Sequence, residues 1–264
     1  MSYREKYNEL LESIANEAAT LSMRFFRSGD MRIEQKRDGT VVTQVDKAVE
    51  QMAHEKVAKC GLPIDLIGEE TSVAAPSEPA KNGRIRMIID PIDGTEEFTR
   101  GIPTFGTLIG CEENGEIVAG MVSAPALSQG TRWCAYRGEG AFRDGKKIHV
   151  SGTKTLAESM IFTTGTGPKK TVQARVTLRR LVDAAKNGRS MGGFWQHMLV
   201  AEGAIEAAVD WTSQPWDLAP LALIVEEAGG KSTTASGERS IYRGQLISTN
   251  GHVHEETLRI LGIT

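Results

Sequence analysis

The stretch Met87–Phe98, MIIDPIDGTEEF, sets an apolar run against two aspartates, Asp90 and Asp93, that bracket Pro91 and Ile92 and lead directly into Gly94 and Thr95. Met87, Ile88 and Ile89 read as a buried strand. Carboxylates at the end of such a strand repel one another and lose hydration, so they persist there when a cation or a shared proton offsets the charge. Two further places put acids where a strand or helix ends: Glu69 and Glu70 in LIGEET, and Asp217 in QPWDLAP. Each alone reads as a cap or a solvated charge; together they ask for a common partner.

Oxygen donors without Cys or His neighbours suit a hard cation, and Mg2+ in particular is held by a few carboxylates while keeping positions for water and a phosphate. Gly94 lets the backbone approach an oxyanion closely, and Thr95 adds a hydroxyl able to hold a water. The D-x-D-x-T pattern of haloacid-dehalogenase phosphatases is not reproduced. Here the spacing is D-x-x-D-G-T, and the extra residue changes where the second side chain points. A carboxylate nucleophile is not required where metals activate water.

Working outward, the 264-residue chain is 40% hydrophobic and 25% charged, an ordinary globular composition. A net charge of -3 gives no basic footprint for nucleic acid, which leaves small ligands as the expected partners. Cys60, Cys111 and Cys134 are dispersed, which argues against a disulfide framework or a cysteine zinc site and fits a reducing cytoplasm. The charged N-terminal segment has no uninterrupted apolar core, so neither a signal peptide nor a membrane span is expected.

Apolar positions from Tyr7 to Phe25 recur at helical spacing, and a second helical pattern runs from Val45 to Val57 with Thr43 as N-cap. A strand-and-turn connection, EQKRDGTVVTQVD, joins them. Short β-like runs follow from residue 61, with turns at Asn114-Gly115 and Asp144-Gly145, and an exposed loop, TSVAAPSEPAKNGR, interrupts them. Beyond Thr155 the pattern alternates. Helices are expected over 171–188, 194–209 and 217–230, the last with Pro220 in its first turn and Gly229 at its end, and strands at SMIFTT, KSTT and GQLIST. This organisation predicts an α+β lobe over 1–154 that carries the acidic motifs and an α/β lobe over 155–264 that completes the site in one compact unit. The pairs Lys169-Lys170 and Arg179-Arg180 and the HVH tract at 252–254 read as surface, and His197 as a structural residue.

The blocks KRDGTVVTQVD, GEE, DPIDGT and WDLAPLALIVEEAGG, in this order and spacing, resemble the inositol monophosphatase superfamily of Mg2+-dependent phosphatases over nearly the whole chain. The resemblance implies a layered α-β-α-β-α sandwich of the inositol monophosphatase/fructose-1,6-bisphosphatase type, commonly a homodimer. It implies two or three Mg2+ ions held by Glu69, Asp90, Asp93 and Asp217 with the backbone carbonyl of Ile92. Gly94 and Thr95 match the phosphate-contacting turn, Thr95 and Asp46 the pair that holds the attacking water, and Glu70 sits beside them. Glu96 and Glu97 depart from the family pattern and add negative charge there.

The stretches RGIPTFGTLIG, GMVSAPAL and the segment around Phe194 and Trp195 look more like the histidinol-phosphate branch than the inositol branch. Aromatic bulk beside an acid suits a flat cationic imidazole-amine better than a ring of hydroxyls. Asp210 matches an acidic substrate contact, and Arg189 is expected to flank it. Phe194, Trp195 and Met198 also fall at helical spacing and fit a core equally well. The expected activity is hydrolysis of histidinol phosphate in histidine biosynthesis, with inositol or broader sugar phosphates as the alternative, and a non-catalytic metal- and phosphate-binding relative behind both.

Overall fold

The computed structural model describes residues 1–36, 39–72, 74–81, 83–164 and 171–262. Helix α1 (Tyr3–Phe25) starts at a capping box in which Ser2 Oγ accepts from Glu5 N and Glu5 returns a carboxylate to Ser2 N. A two-stranded ribbon, β1 (Ile33–Gln35) and β2 (Val41–Thr43), leads to α2 (Gln44–Lys59), capped by Thr43 as its sequence predicts. The main sheet follows in chain order: β3 (Ile64–Gly68), β4 (Ile85–Asp93), β5 (Gly106–Glu113), β6 (Glu116–Ala124), β7 (Thr131–Tyr136), β8 (Gly140–Arg143) and β9 (Lys146–Ile148), with the short α3 (Thr95–Thr99) between β4 and β5. Only β3 and β4 pair in parallel; the rest is an antiparallel meander. At both predicted turns the two residues have positive φ, Asn114 51° and Gly115 83°, Asp144 48° and Gly145 75°, the backbone that the two-residue hairpin demands.

The second sheet comprises β10 (Met160–Thr163), β11 (Asn187–Ser190), β12 (Ala207–Asp210), β13 (Lys231–Thr233) and β14 (Leu246–Thr249), in the order β11-β10-β12-β14-β13. Three helices join these strands, α4 (Val172–Ala184), α5 (Gly193–Ala201) and α6 (Pro215–Glu227), and α7 (His254–Leu261) follows β14. Strand alternation divides the core. On β4, Met87 and Ile89 face α1 and α2, whereas Ile88 joins the cluster built on α5 and α6. On β10 and β12, Phe162 and Ala208 face that middle layer, and Ile161, Ala207 and Val209 face α4 and α7. The layers are therefore helix, sheet, helix, sheet, helix, the sandwich that the resemblance implied.

Three expectations are corrected. The helix expected over 194–209 ends at Ala201, because Gly203 takes φ 72° and AAVD continues as the central strand β12. The three apolar residues Ala207, Ala208 and Val209 are too short a run to separate strand from helix by period. The helix expected over 171–188 ends at Ala184 and gives way to β11. Pro215, not Pro220, occupies the first turn of α6; Pro220 lies inside the helix. The Lys169-Lys170 pair lies outside the described residues.

Pro220 sits where α6 meets the main sheet. Gly110 on β5 and Gly120 on β6 are cross-strand partners, and a Cβ on Gly110 would stand 2.7 Å from Ala219 Cβ, one on Gly120 3.0 Å from Pro220 Cα. The paired glycines let α6 rest directly on the strands. Gly110→Ala is therefore expected to destabilise the protein by about 1–3 kcal/mol, while Gly152→Ala, with open space around it, stays within about 0.5 kcal/mol; denaturant unfolding of both variants checks the difference.

Candidate active site

Aspartates three apart on a regular strand point to opposite faces. Here Asp90 pairs with Leu108 and Asp93 with Gly106, three steps on β4 against two on β5, so one extra residue is accommodated in a bulge at Pro91-Ile92. The bulge turns both carboxylates to the same side. Pro91 costs no ladder bond there, and its carbonyl accepts the Thr107 hydroxyl at 2.9 Å. Asp217 arrives from the third position of α6, where Oδ2 accepts Gln214 N at 2.7 Å. The three side chains each offer an oxygen within 4.8 Å of the others.

The flanking residues are held as firmly. Asp90 Oδ1 accepts Ile92 N at 2.9 Å, and Asp93 Oδ2 accepts Phe194 N, at the start of α5, also at 2.9 Å. A Cβ on Gly193 would lie 3.1 Å from that same Asp93 oxygen. Gly94 has φ 80°, and a Cβ there would stand 2.9 Å from Thr104 O, so both the turn and the packing require glycine. Thr95 Oγ1 lies 2.9 Å from Ile92 O and 3.3 Å from Asp46 Oδ1. Asp46 serves two elements: its Oδ2 closes the capping box of α2 with Thr43, and its Oδ1 faces Thr95.

Two contributors escaped the sequence reading. Glu50, fully buried on α2, receives Glu70 N at 2.8 Å, Thr71 N at 2.9 Å and the Thr71 hydroxyl, and so fixes the turn that presents Glu69 and Glu70. Gly68 makes room for it: a Cβ would fall 2.1 Å from the Glu50 carboxyl carbon. Lys36 reaches Glu69 Oε1 at 2.8 Å and Glu70 Oε1 at 2.6 Å. The only sequence signal for Glu50 is an acid on the apolar face of a helical pattern.

Asp210, expected to touch substrate, is 3% exposed and already accepts three side chains: Gln196 Nε2 at 2.7 Å, Thr164 Oγ1 at 3.0 Å and His197 Nε2 at 3.1 Å. His197 Nδ1 lies 2.8 Å from Ser248 Oγ, so this histidine is structural, as expected. Phe194 and Met198 belong to the core, Phe194 packing on Trp133 with ring centroids 6.1 Å apart, while Trp195 is half-buried. Arg189 is exposed on β11, and among the described residues no hydrogen bond or ion pair ties it to the acids. Of the HVH tract, His252 is exposed but His254 is not: it is buried between the Thr233 and Thr249 hydroxyls, each 3.0 Å away.

Electrostatics state the requirement of the site. Burial first, then the charges of Glu69, Asp93 and Asp217, hold Asp90 well above the usual carboxylate range. Burial and Asp93 do the same to Asp217. Asp93 is pushed up to about 7 by burial, with Asp210 and Glu97 adding to it and the Phe194 N–H opposing. Glu70 is raised to about 7 by burial against the pull of Lys36, and burial also raises Asp46. Three convergent carboxylates, all raised by burial and by neighbouring acids, with oxygen as the only donor atom, fit a divalent hard cation.

The sequence matches the family model described as Inositol monophosphatase family over residues 4–262. It is 37% identical to the histidinol-phosphatase of Mycobacterium tuberculosis over 256 residues, covering 93% of this chain and 94% of that protein. It is 32% identical to a fructose-1,6-bisphosphatase/inositol-1-monophosphatase of Thermotoga maritima, covering 84% of this chain and 82% of that one. A solved IMPase/NADP phosphatase complexed with Mg2+ and phosphate superposes with a TM-score of 0.83 at 26% identity, covering 98% and 96% of the two chains.

A carboxyl whose folded pKa exceeds its unfolded value favours the folded state at low pH and loses that contribution as pH rises through the folded pKa. For Asp93 this window runs from about 3.8 to about 7. In chelator, the melting temperature is expected to fall as pH rises through that window, and Mg2+ is expected to restore it most above it. Asp93→Asn should flatten the fall and shrink the Mg2+ gain. Thermal melts of both proteins check this, and equal melting with chelator and with Mg2+ above pH 7 contradicts a cation site.

Proposed function

We propose that this chain, which belongs to the inositol monophosphatase family, hydrolyses histidinol phosphate to histidinol and phosphate in histidine biosynthesis. It is a phosphatase, a Mg2+-dependent phosphomonoesterase acting on a small-molecule ester. The observation that carries the chemistry is the convergence of Asp90, Asp93 and Asp217 within 4.8 Å. The choice of ester is supported by the 37% identity to the mycobacterial histidinol-phosphatase across nearly all of both chains. A second reading, inositol or sugar phosphate, is favoured by the Thermotoga relative.

In this reading Asp90, Asp93, Asp217 and Glu69, with the Ile92 carbonyl, would hold two or three Mg2+ ions, which supply Lewis acidity and charge neutralisation at the phosphate ester. Gly94 and Thr95 receive the phosphate at the turn that the positive φ of Gly94 forms. Thr95 Oγ1, set between Ile92 O and Asp46 Oδ1, orients the attacking water. The water proton passes to Thr95 Oγ1 as the Thr95 proton moves to Asp46, whose burial favours accepting it. Asp210, saturated by Gln196, Thr164 and His197, acts on the substrate through its charge, which favours a cationic leaving group. Arg189, exposed on β11, would flank the same pocket.

The lobes 1–154 and 155–264 would close on this site as one unit. The expected homodimer would cover apolar side chains left exposed on and beside α4, among them Val172, Val176 and Met191. No helix among the described residues is long and apolar enough to cross a membrane; a cytoplasmic setting follows from the biosynthetic role.

Phosphate release from histidinol phosphate and from inositol 1-phosphate, with Mg2+ and with chelator, tests the reading. A kcat/KM at least about tenfold higher for histidinol phosphate is expected, with turnover lost in chelator. The reverse preference selects the second reading. Thr95→Ala is expected to lower kcat by about 10^2 to 10^4 while leaving the Mg2+-dependent rise in melting temperature intact; an unchanged kcat removes Thr95 from the proton path.

A further inference from the structure

Asp210 ends β12, and the register of the second sheet sets what surrounds it. Ala208, two residues back on the same face of the strand, lies opposite Ser248 on β14, and Ser248 lies opposite Ser232 on β13. That face turns toward α5 and α6, because Ala208 packs in the cluster those helices build. On α5 the adjacent Gln196 and His197 are both fully buried. They meet on one carboxylate, Gln196 Nε2 at Asp210 Oδ1 and His197 Nε2 at Oδ2.

The imidazole of His197 spans from Asp210 to the neighbouring strands. Its Nδ1 lies 2.8 Å from Ser248 Oγ, and Ser248 Oγ lies 3.3 Å from Ser232 Oγ. A carboxylate only accepts, so the nitrogen facing Asp210 carries the proton. Nδ1 is then left to accept from the Ser248 hydroxyl, whose oxygen accepts from Ser232. Near the start of the same helix the Phe194 N–H holds Asp93 at 2.9 Å, so one rigid element positions both a predicted metal ligand and Asp210.

We propose that His197 is a positioning residue that sets the leaving-group preference: fixed in its Nε2–H tautomer by Ser248 and Ser232, it holds Asp210 as an oriented anion beside the leaving group. This rests on the reading of Asp210 under the proposed function. A buried carboxylate keeps its charge and direction where donors meet its oxygens. Without the His197 donor, a cationic leaving group loses the attraction of Asp210. A ring of hydroxyls, which depends less on that charge, loses less.

The test measures kcat and KM of the Mg2+-loaded full chain with histidinol phosphate and with inositol 1-phosphate, alongside the nitrogen resonances of the His197 ring. The wild-type ring is expected to carry its proton on Nε2, with Nδ1 bare. His197→Asn, whose short amide stays near Ser248 and leaves Asp210 without its donor, should raise KM for histidinol phosphate by about tenfold. KM for inositol 1-phosphate should rise less, and kcat should change less than KM. His197→Gln, whose longer amide can donate to Asp210, should recover most of the loss. Ser248→Ala should shift KM in the same direction and carries the test if His197→Asn fails to fold. A wild-type preference for inositol 1-phosphate counts against the choice of ester, whereas the role of His197 is decided by the change each variant makes from wild type. The proposal is overturned if Nδ1 carries a proton, if neither His197→Asn nor Ser248→Ala raises KM for histidinol phosphate, if both esters weaken equally, or if His197→Gln does no better than His197→Asn.

Discussion

Everything in the site follows from crowding like charges where water is scarce. Asp90, Asp93 and Asp217 each bring an oxygen within 4.8 Å of the others, and Asp93 raises the proton affinity of both Asp90 and Asp217. Such an arrangement is unfavourable for the folded chain alone, and a divalent cation reverses the sign by making the repulsion an attraction to a shared centre. The fold supports that crowding. A one-residue bulge turns two acids of one strand to the same side, and a pair of facing glycines lets α6 approach closely enough to bring the third.

The surrounding hydrogen bonds fix where each carboxylate points. Each of the three acids gives one oxygen to a backbone N–H, of Ile92, Phe194 or Gln214, and keeps the other available. Asp46 divides its oxygens between a helix cap and Thr95, so the reading of Asp46 as a helix-start acid and its reading as a catalytic partner describe the same residue. Glu50 plays the corresponding part for Glu69 and Glu70, holding their turn from below with a carboxylate that three donors satisfy. Where such a group is fully bonded, it adds orientation without adding an unpaired charge.

Much of this was legible in the chain. The apolar run ending at Asp90, the turn pairs at 114–115 and 144–145, the Thr43 cap and the stripe of α1 were read correctly because each depends on neighbours within a few residues. The errors share a cause as well. The segment AAVD became β12 because strands on either side offered it hydrogen bonds, and His254 became buried because Thr233 and Thr249 closed over it. Phe194 was balanced between core and pocket until Trp133 packed against its ring.

The sequence by itself determined the chemical identity of the site: which acids, in what order, followed by Gly94 and Thr95. It also determined the local geometry that glycine, proline and capping side chains dictate, since those preferences act through covalent structure and adjacent backbone. Only the tertiary structure decided that Asp217 meets Asp90 and Asp93, that Glu50 and Lys36 serve Glu69 and Glu70, and that Asp210 is saturated from inside. Those outcomes depend on distances between residues far apart in the chain, which packing sets and no local preference encodes.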